Sequence, residues 1–164
     1  KKVQEKIDIN KKLDQIQRLF TSETIDTNLE KNEEDSIDGI KRVMQKIGIL
    51  GEVGTQDIIN IAKYLIDNKK TMADFTIKEI CSKFTDNPKT MEQRIRRTAT
   101  VGMINLANLG IEDYMNEIFT EYSNGLYNFE QLKIEMDYIR GKGKKRGSVN
   151  IKKFIDGIVY YGKH

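Results

Sequence analysis

The sequence predicts an all-α fold, a multi-helix domain that contains a helix-turn-helix and is preceded by a helical linker. Three observations carry that expectation. Apolar residues recur at intervals of three and four along most of the chain, the spacing that builds one helix face. Cap residues stand just ahead of these runs, Thr76 with Glu79 and Asn87 before Pro88 among them. The chain holds one proline and no tryptophan and is rich in Ile, Leu, Lys and Glu, a composition that favours helix over sheet.

Residues 1 to 20 are charged and helix-prone. Ile9, Leu13, Ile16 and Phe20 form a short coiled-coil-like seam, read as the end of a dimerising linker. Residues 21 to 35 lack periodicity, and Glu23 to Asp38 is acidic with only Lys31 opposing it. That stretch reads as a mobile connector which anionic DNA would repel. The folded domain is expected over 36–164. Its first helix carries Ile37, Ile40, Val43, Met44 and Ile47 on one side, and Gly48, Gly51 and Gly54 break the chain after it. Thr55 can cap the next helix, with Ile58, Ile59, Ala62, Leu65 and Ile66 as core positions.

Thr76-Ile77-Lys78-Glu79 has the form of a capping box and opens a short helix with Ile77, Ile80 and Phe84 on its apolar side. After the turn Thr85–Asn87, Pro88 starts a long helix running to Gly110, where its missing N–H costs nothing. Met91, Ile95, Thr98, Ala99, Gly102, Leu106 and Leu109 share its buried side. Lys89, Gln93, Arg94, Arg96, Arg97 and Thr100 are its candidate DNA contacts, because Arg can bond guanine bidentately and Gln adenine. A short helix, a tight turn and a second helix with basic residues near its start is the helix-turn-helix arrangement, whose second helix enters the major groove. A solvated amphipathic helix would show the same stripe.

Gly110 is expected to stop that helix in a left-handed turn, with a short helix restarting over Ile111 to Phe119. Asn128 with Gln131 caps a helix using Phe129, Leu132, Met136 and Ile139, and Asn150 starts a last one through Ile151, Phe154, Ile155, Ile158 and Val159. Between them lies Gly141-Lys142-Gly143-Lys144-Lys145-Arg146-Gly147-Ser148. It has no Gly-Lys-Ser/Thr triplet and no preceding apolar strand, so it is not a phosphate-binding loop of the nucleotide-hydrolase type. It reads as a flexible basic loop in which Lys142, Lys144, Lys145 and Arg146 meet a nucleic-acid backbone.

At 164 residues with 38% hydrophobic content, the chain has material for one helical core plus an appendage. Its net charge of +3 is small, so a polyanion partner must be argued from where charges cluster. One cysteine, Cys81, excludes an internal disulfide, and it falls on the apolar side of its helix. No leader or spanning segment is evident, and a cytoplasmic location is expected. The one histidine is His164, and no nucleophile–base or metal-ligand spacing occurs, so no enzyme activity, cofactor or metal is expected. The acids Glu112, Asp113 and Glu117 read as exposed helix-end charges.

Glu92-Gln93-Arg94-Ile95-Arg96-Arg97, followed by Leu109-Gly110-Ile111-Glu112-Asp113-Tyr114 and Asn116-Glu117-Ile118-Phe119 and preceded by Ile47-Gly48-Ile49-Leu50-Gly51-Glu52, resembles the output domain of YcbB/GlnL-type response regulators. The resemblance spans roughly Ser36 to Gly162. A weaker one, carried by the Ile-Gly-Ile start with Glu92, Ile95 and Arg96, links it to the C-terminal effector domain of the sporulation regulator Spo0A. The resemblance implies a helix-turn-helix domain that binds double-stranded DNA under control of a receiver domain not found in this sequence, in a family associated with glutamine utilisation genes. A homodimer, formed through the linker or the receiver, is expected on this reading. A helical protein-interaction module docking an acidic partner is the alternative, and RNA binding a third reading without visible aromatic stacking residues.

Overall fold

The computed structural model describes the backbone of residues 21–164 and the side chains of residues 34–164. The seam of Ile9, Leu13, Ile16 and Phe20 lies outside the described residues. The fold is all-α: among the described residues there are seven α-helices, one 3-10 turn and no strand. The chain divides into two units, Lys1–Asp35 and Ser36–His164. The second unit holds the last turns of the first helix and all of the later ones.

Helix α1 runs over Thr21–Lys46. Its backbone is already helical across 21–35, where the sequence reading expects a mobile connector. No glycine or proline interrupts the chain from Thr21 to Asp38, so nothing in the backbone chemistry stops the helix. From Ile40 on, the expected stripe is real: Ile40, Val43, Met44 and Ile47 are buried. Gly48, at φ 73°, then turns the chain in the left-handed region that a side chain would resist.

Helix α2 covers Thr55–Asp67. Its cap residue is Gly54, not Thr55, because the Thr55 hydroxyl is used in the preceding loop, donating to the Ile49 carbonyl and accepting from the Glu52 N–H. A 3-10 turn at Met72–Asp74 leads to α3, Ile77–Ser82. There the expected capping box forms in full, with the Glu79 N–H on Thr76 Oγ1 at 3.1 Å and the Thr76 N–H on Glu79 Oε1 at 3.0 Å. The Thr76 N–H, and after it the Thr76 hydroxyl, hold the Glu79 carboxyl below its ordinary range. Phe84 lies past the end of α3, half exposed, edge-on to Tyr64.

Helix α4, Pro88–Glu112, is the axis of the unit and packs against α2 and α3 and against three later helices, α5 (Glu117–Tyr122), α6 (Phe129–Ile139) and α7 (Ile151–Lys163). Asn87 Oδ1 accepts the Thr90 N–H at 3.3 Å and Pro88 occupies the first turn, the expected start. The expected stop at Gly110 is corrected: the helix continues to Glu112 and the next begins at Glu117. Gly110 is buried inside α4 because the Phe119 ring lies against it, with three ring atoms within 2.8 Å of where a Cβ would stand. Its glycine serves close packing and not a left-handed turn.

Polar groups on the buried side of α4 bind the neighbouring loops. Thr98 Oγ1 accepts the Gly54 N–H at 2.8 Å, Asn105 Nδ2 donates to the Ile47 carbonyl at 3.0 Å, and the Tyr127 hydroxyl donates to the Ala99 carbonyl at 2.7 Å. Burial holds the Tyr127 phenol well above its ordinary pKa, so it remains a donor. Cys81 is a buried free thiol whose pKa burial pushes up to about 11. Among the described residues no helix is long and apolar enough to cross a membrane.

Candidate nucleic-acid interface

The first four turns of α4 carry six of the ten candidate contacts, and the structure sorts them. Lys89, Gln93 and Arg97 are exposed and recur every four residues, so they form one outward row starting at the turn between α3 and α4. Arg94 belongs elsewhere. Its Nε and Nη2 donate to the two carboxylate oxygens of Asp57 at 2.8 and 3.2 Å, clamping α4 to α2. Those hydrogen bonds, and then the Asp57 charge, raise the guanidinium pKa further. Two of its three guanidinium nitrogens are thereby committed to Asp57. Thr100 is half-buried, and its hydroxyl donates to the Arg96 carbonyl at 2.7 Å, back into its own helix.

Arg96 stands between these cases. It is exposed, yet Nη1 donates to the Val149 carbonyl at 3.0 Å and Nη2 lies 3.6 Å from Glu92 Oε1. That contact joins the start of α4 to the end of the basic loop, residues 53 positions apart. The two cationic segments singled out in the sequence therefore meet through Arg96.

The loop itself is anchored, where the sequence reading expects flexibility. Gly141, at φ 75°, ends α6 in a left-handed turn, and the Lys142 N–H returns to the Asp137 carbonyl at 2.8 Å. Arg146 donates from Nε and Nη2 to Glu135 Oε1 at 2.9 and 2.7 Å, and its guanidinium carbon sits 4.5 Å over the Tyr138 ring. The hydrogen bonds to Glu135 raise the Arg146 pKa. Glu135 is only 1% exposed, and its second oxygen takes the Gly147 N–H at 3.3 Å. Arg146 thus fixes the loop by satisfying a buried carboxylate. Lys142, Lys144 and Lys145 remain exposed on the anchored loop.

Gln131 is not the capping-box partner of Asn128. Asn128 Oδ1 caps α6 alone by accepting the Glu130 N–H at 2.9 Å, while Gln131 Oε1 accepts from the Ser148 N–H at 3.0 Å and its hydroxyl at 3.1 Å. Sequence reasoning missed Asp57, Glu135 and the Val149 carbonyl, which decide how three of the arginines are used. No local spacing connects them to those arginines. Among the described residues, no group of three or more His, Cys, Asp or Glu side chains could hold a metal ion.

Comparison with curated proteins and with solved structures finds no match. A family model described as YcbB domain matches residues 39–158, well over half of the chain and including both α4 and the basic loop.

Proposed function

The chain belongs to the YcbB domain family, and from that premise we propose that it is the DNA-binding output domain of a two-component response regulator. It acts in the cytoplasm as a binding module and not an enzyme, and it controls transcription of glutamine utilisation genes, the role that the sequence resemblance to GlnL-type regulators suggests. Helices α3 and α4 serve as the helix-turn-helix, with α4 entering the major groove. The observation that carries this reading is the outward row of Lys89, Gln93 and Arg97 at the capped start of α4, where a recognition helix presents its reading residues.

Gln93 and Arg97 are the base readers, through adenine and guanine edges. Lys89 and the loop residues Lys142, Lys144 and Lys145 contact flanking phosphates. Arg94 and Arg146 are left out of the contact set because Asp57 and Glu135 hold them. Two copies of the chain bind two half-sites, so that pairing turns weak single-domain binding into tight operator binding.

Selection of duplexes from a random pool by the full chain, under heparin competition, tests the reading. Enrichment of one sequence is expected. Arg97→Ala should then relax preference at one base position at a cost of about 1–3 kcal/mol. A pool that stays random after repeated rounds would overturn it.

A further inference from the structure

Below Arg96 lies an open groove between α4 and the starts of α6 and α7, walled by Arg96, Asn128, Gln131, Ser148, Asn150 and Lys152 over an apolar floor. Its polar lining is one-sided. The side-chain oxygens of the three carboxamides are already committed, Asn128 to the Glu130 N–H, Asn150 to the Lys153 N–H at 3.1 Å, and Gln131 to Ser148. Their NH2 ends are left as the groove's neutral donors. Arg96 spends Nη1 on the Val149 carbonyl and retains further N–H groups, and Lys152 adds an ammonium.

Among the described residues, no carboxylate lines the groove. Two acids stand at its margin: Glu92 Oε1 lies 3.6 Å from Arg96 Nη2, and Glu79, bonded within the capping box, is close enough to Lys152 to feel its charge. A surface of two cations and three amide donors without an acid suits an acceptor-only ligand of single or double negative charge.

We infer that this groove binds a backbone phosphodiester of duplex DNA, with Arg96 and Lys152 gripping one phosphate beside the row that reads bases. The inference rests on the DNA-binding reading and deepens it. It moves Arg96 from base reader to phosphate contact, and it adds Lys152, Asn128, Gln131 and Asn150 to the interface. The clamp sits where Arg96 ties α4 to the loop, so it sets the angle at which the reading row meets the groove.

The test uses the full chain, a duplex enriched from a random pool and a scrambled duplex of equal length, titrated at several salt concentrations. Lys152→Gln should weaken both duplexes by the same factor and flatten the slope of log K against log salt by about 0.9, the share of one phosphate. Lys152→Glu, which puts an acid into the groove without cutting any hydrogen bond that shapes the loop, should weaken both more strongly while the melting temperature is kept. An unchanged slope in both variants while the wild-type chain binds duplex overturns the clamp and leaves the DNA reading standing. Loss confined to the enriched duplex overturns it too, because that is the mark of a base contact. A parallel titration with inorganic phosphate separates the sources: saturation by phosphate with no duplex binding by the wild-type chain would overturn both readings and mark a site for a free anion.

Discussion

Replacing Lys142, Lys144 and Lys145 together by Gln probes the loop without dismantling it. The loop's conformation depends on Gly141 at φ 75°, on the Lys142 N–H to Asp137, on Arg146 with Glu135 and on Ser148 with Gln131. None of these uses a lysine side chain, so the triple variant should melt with the wild type. If each lysine neutralises one phosphate, the slope of log K against log salt flattens by about 2.7, at roughly 0.9 per contact. Between 50 and 200 mM salt, the wild type would then lose about 40-fold more affinity than the variant. Fluorescence anisotropy with a labelled duplex over that range reads the slope directly. A slope that changes by less than about 1 would mean that at most one lysine reaches the backbone, and the loop would have to be taken out of the interface.

Arg94→Met should lower the melting temperature, because it leaves Asp57 without its bidentate partner, while the salt slope of duplex binding stays as it was; a flatter slope would return Arg94 to the contact set. Gly110→Ala gains about 1 kcal/mol of helix propensity but drives a methyl into the buried Phe119 ring, an overpacking that costs about 1–3 kcal/mol; net loss of stability in a urea titration is expected, and net stabilisation would refute the packing role. Cys81, pushed up to about 11 from an ordinary 9.0, should alkylate at pH 8 at least ~100-fold more slowly in the native chain than in the unfolded one, since only the thiolate reacts. The unfolded thiol ionises first, so this group lowers native stability as pH climbs from 9.0 towards 11.

Helix faces were legible in the sequence because a helix repeats its burial pattern every few residues. Ile40, Met44 and Ile47, or Met91, Ile95 and Ala99, announce themselves at that spacing and are all buried. Caps at Thr76, Asn87 and Asn150 were legible for the same reason, since a cap and its target N–H lie within three residues. What could not be read was anything settled across the fold. Gly110 looks like a helix stop until Phe119 is placed against it, and Gln131 looks like a capping residue until Ser148 arrives from 17 positions away. Arg94 and Arg97 are neighbours of identical chemistry. Asp57, 37 residues back, holds one, while the other stays exposed.

That sorting bears on stoichiometry. With Arg94 held by Asp57 and Arg96 turned to Val149, the row that can reach base edges offers two side chains suited to bidentate reading, Gln93 and Arg97. Each such pair discriminates by about 1–3 kcal/mol. One copy therefore separates its site from random duplex by roughly 2–6 kcal/mol, against the 4–10 typical of specific regulators. A phosphate clamp at Arg96 and Lys152 and a lysine loop add affinity for any duplex and raise specific and non-specific binding together. Selectivity at the level a transcriptional switch needs must then come from a second copy on a second half-site. The expected outcome is that the duplexes enriched by the full chain carry two related half-sites, and that cutting one of them out returns binding to the weak, salt-governed level of a single domain.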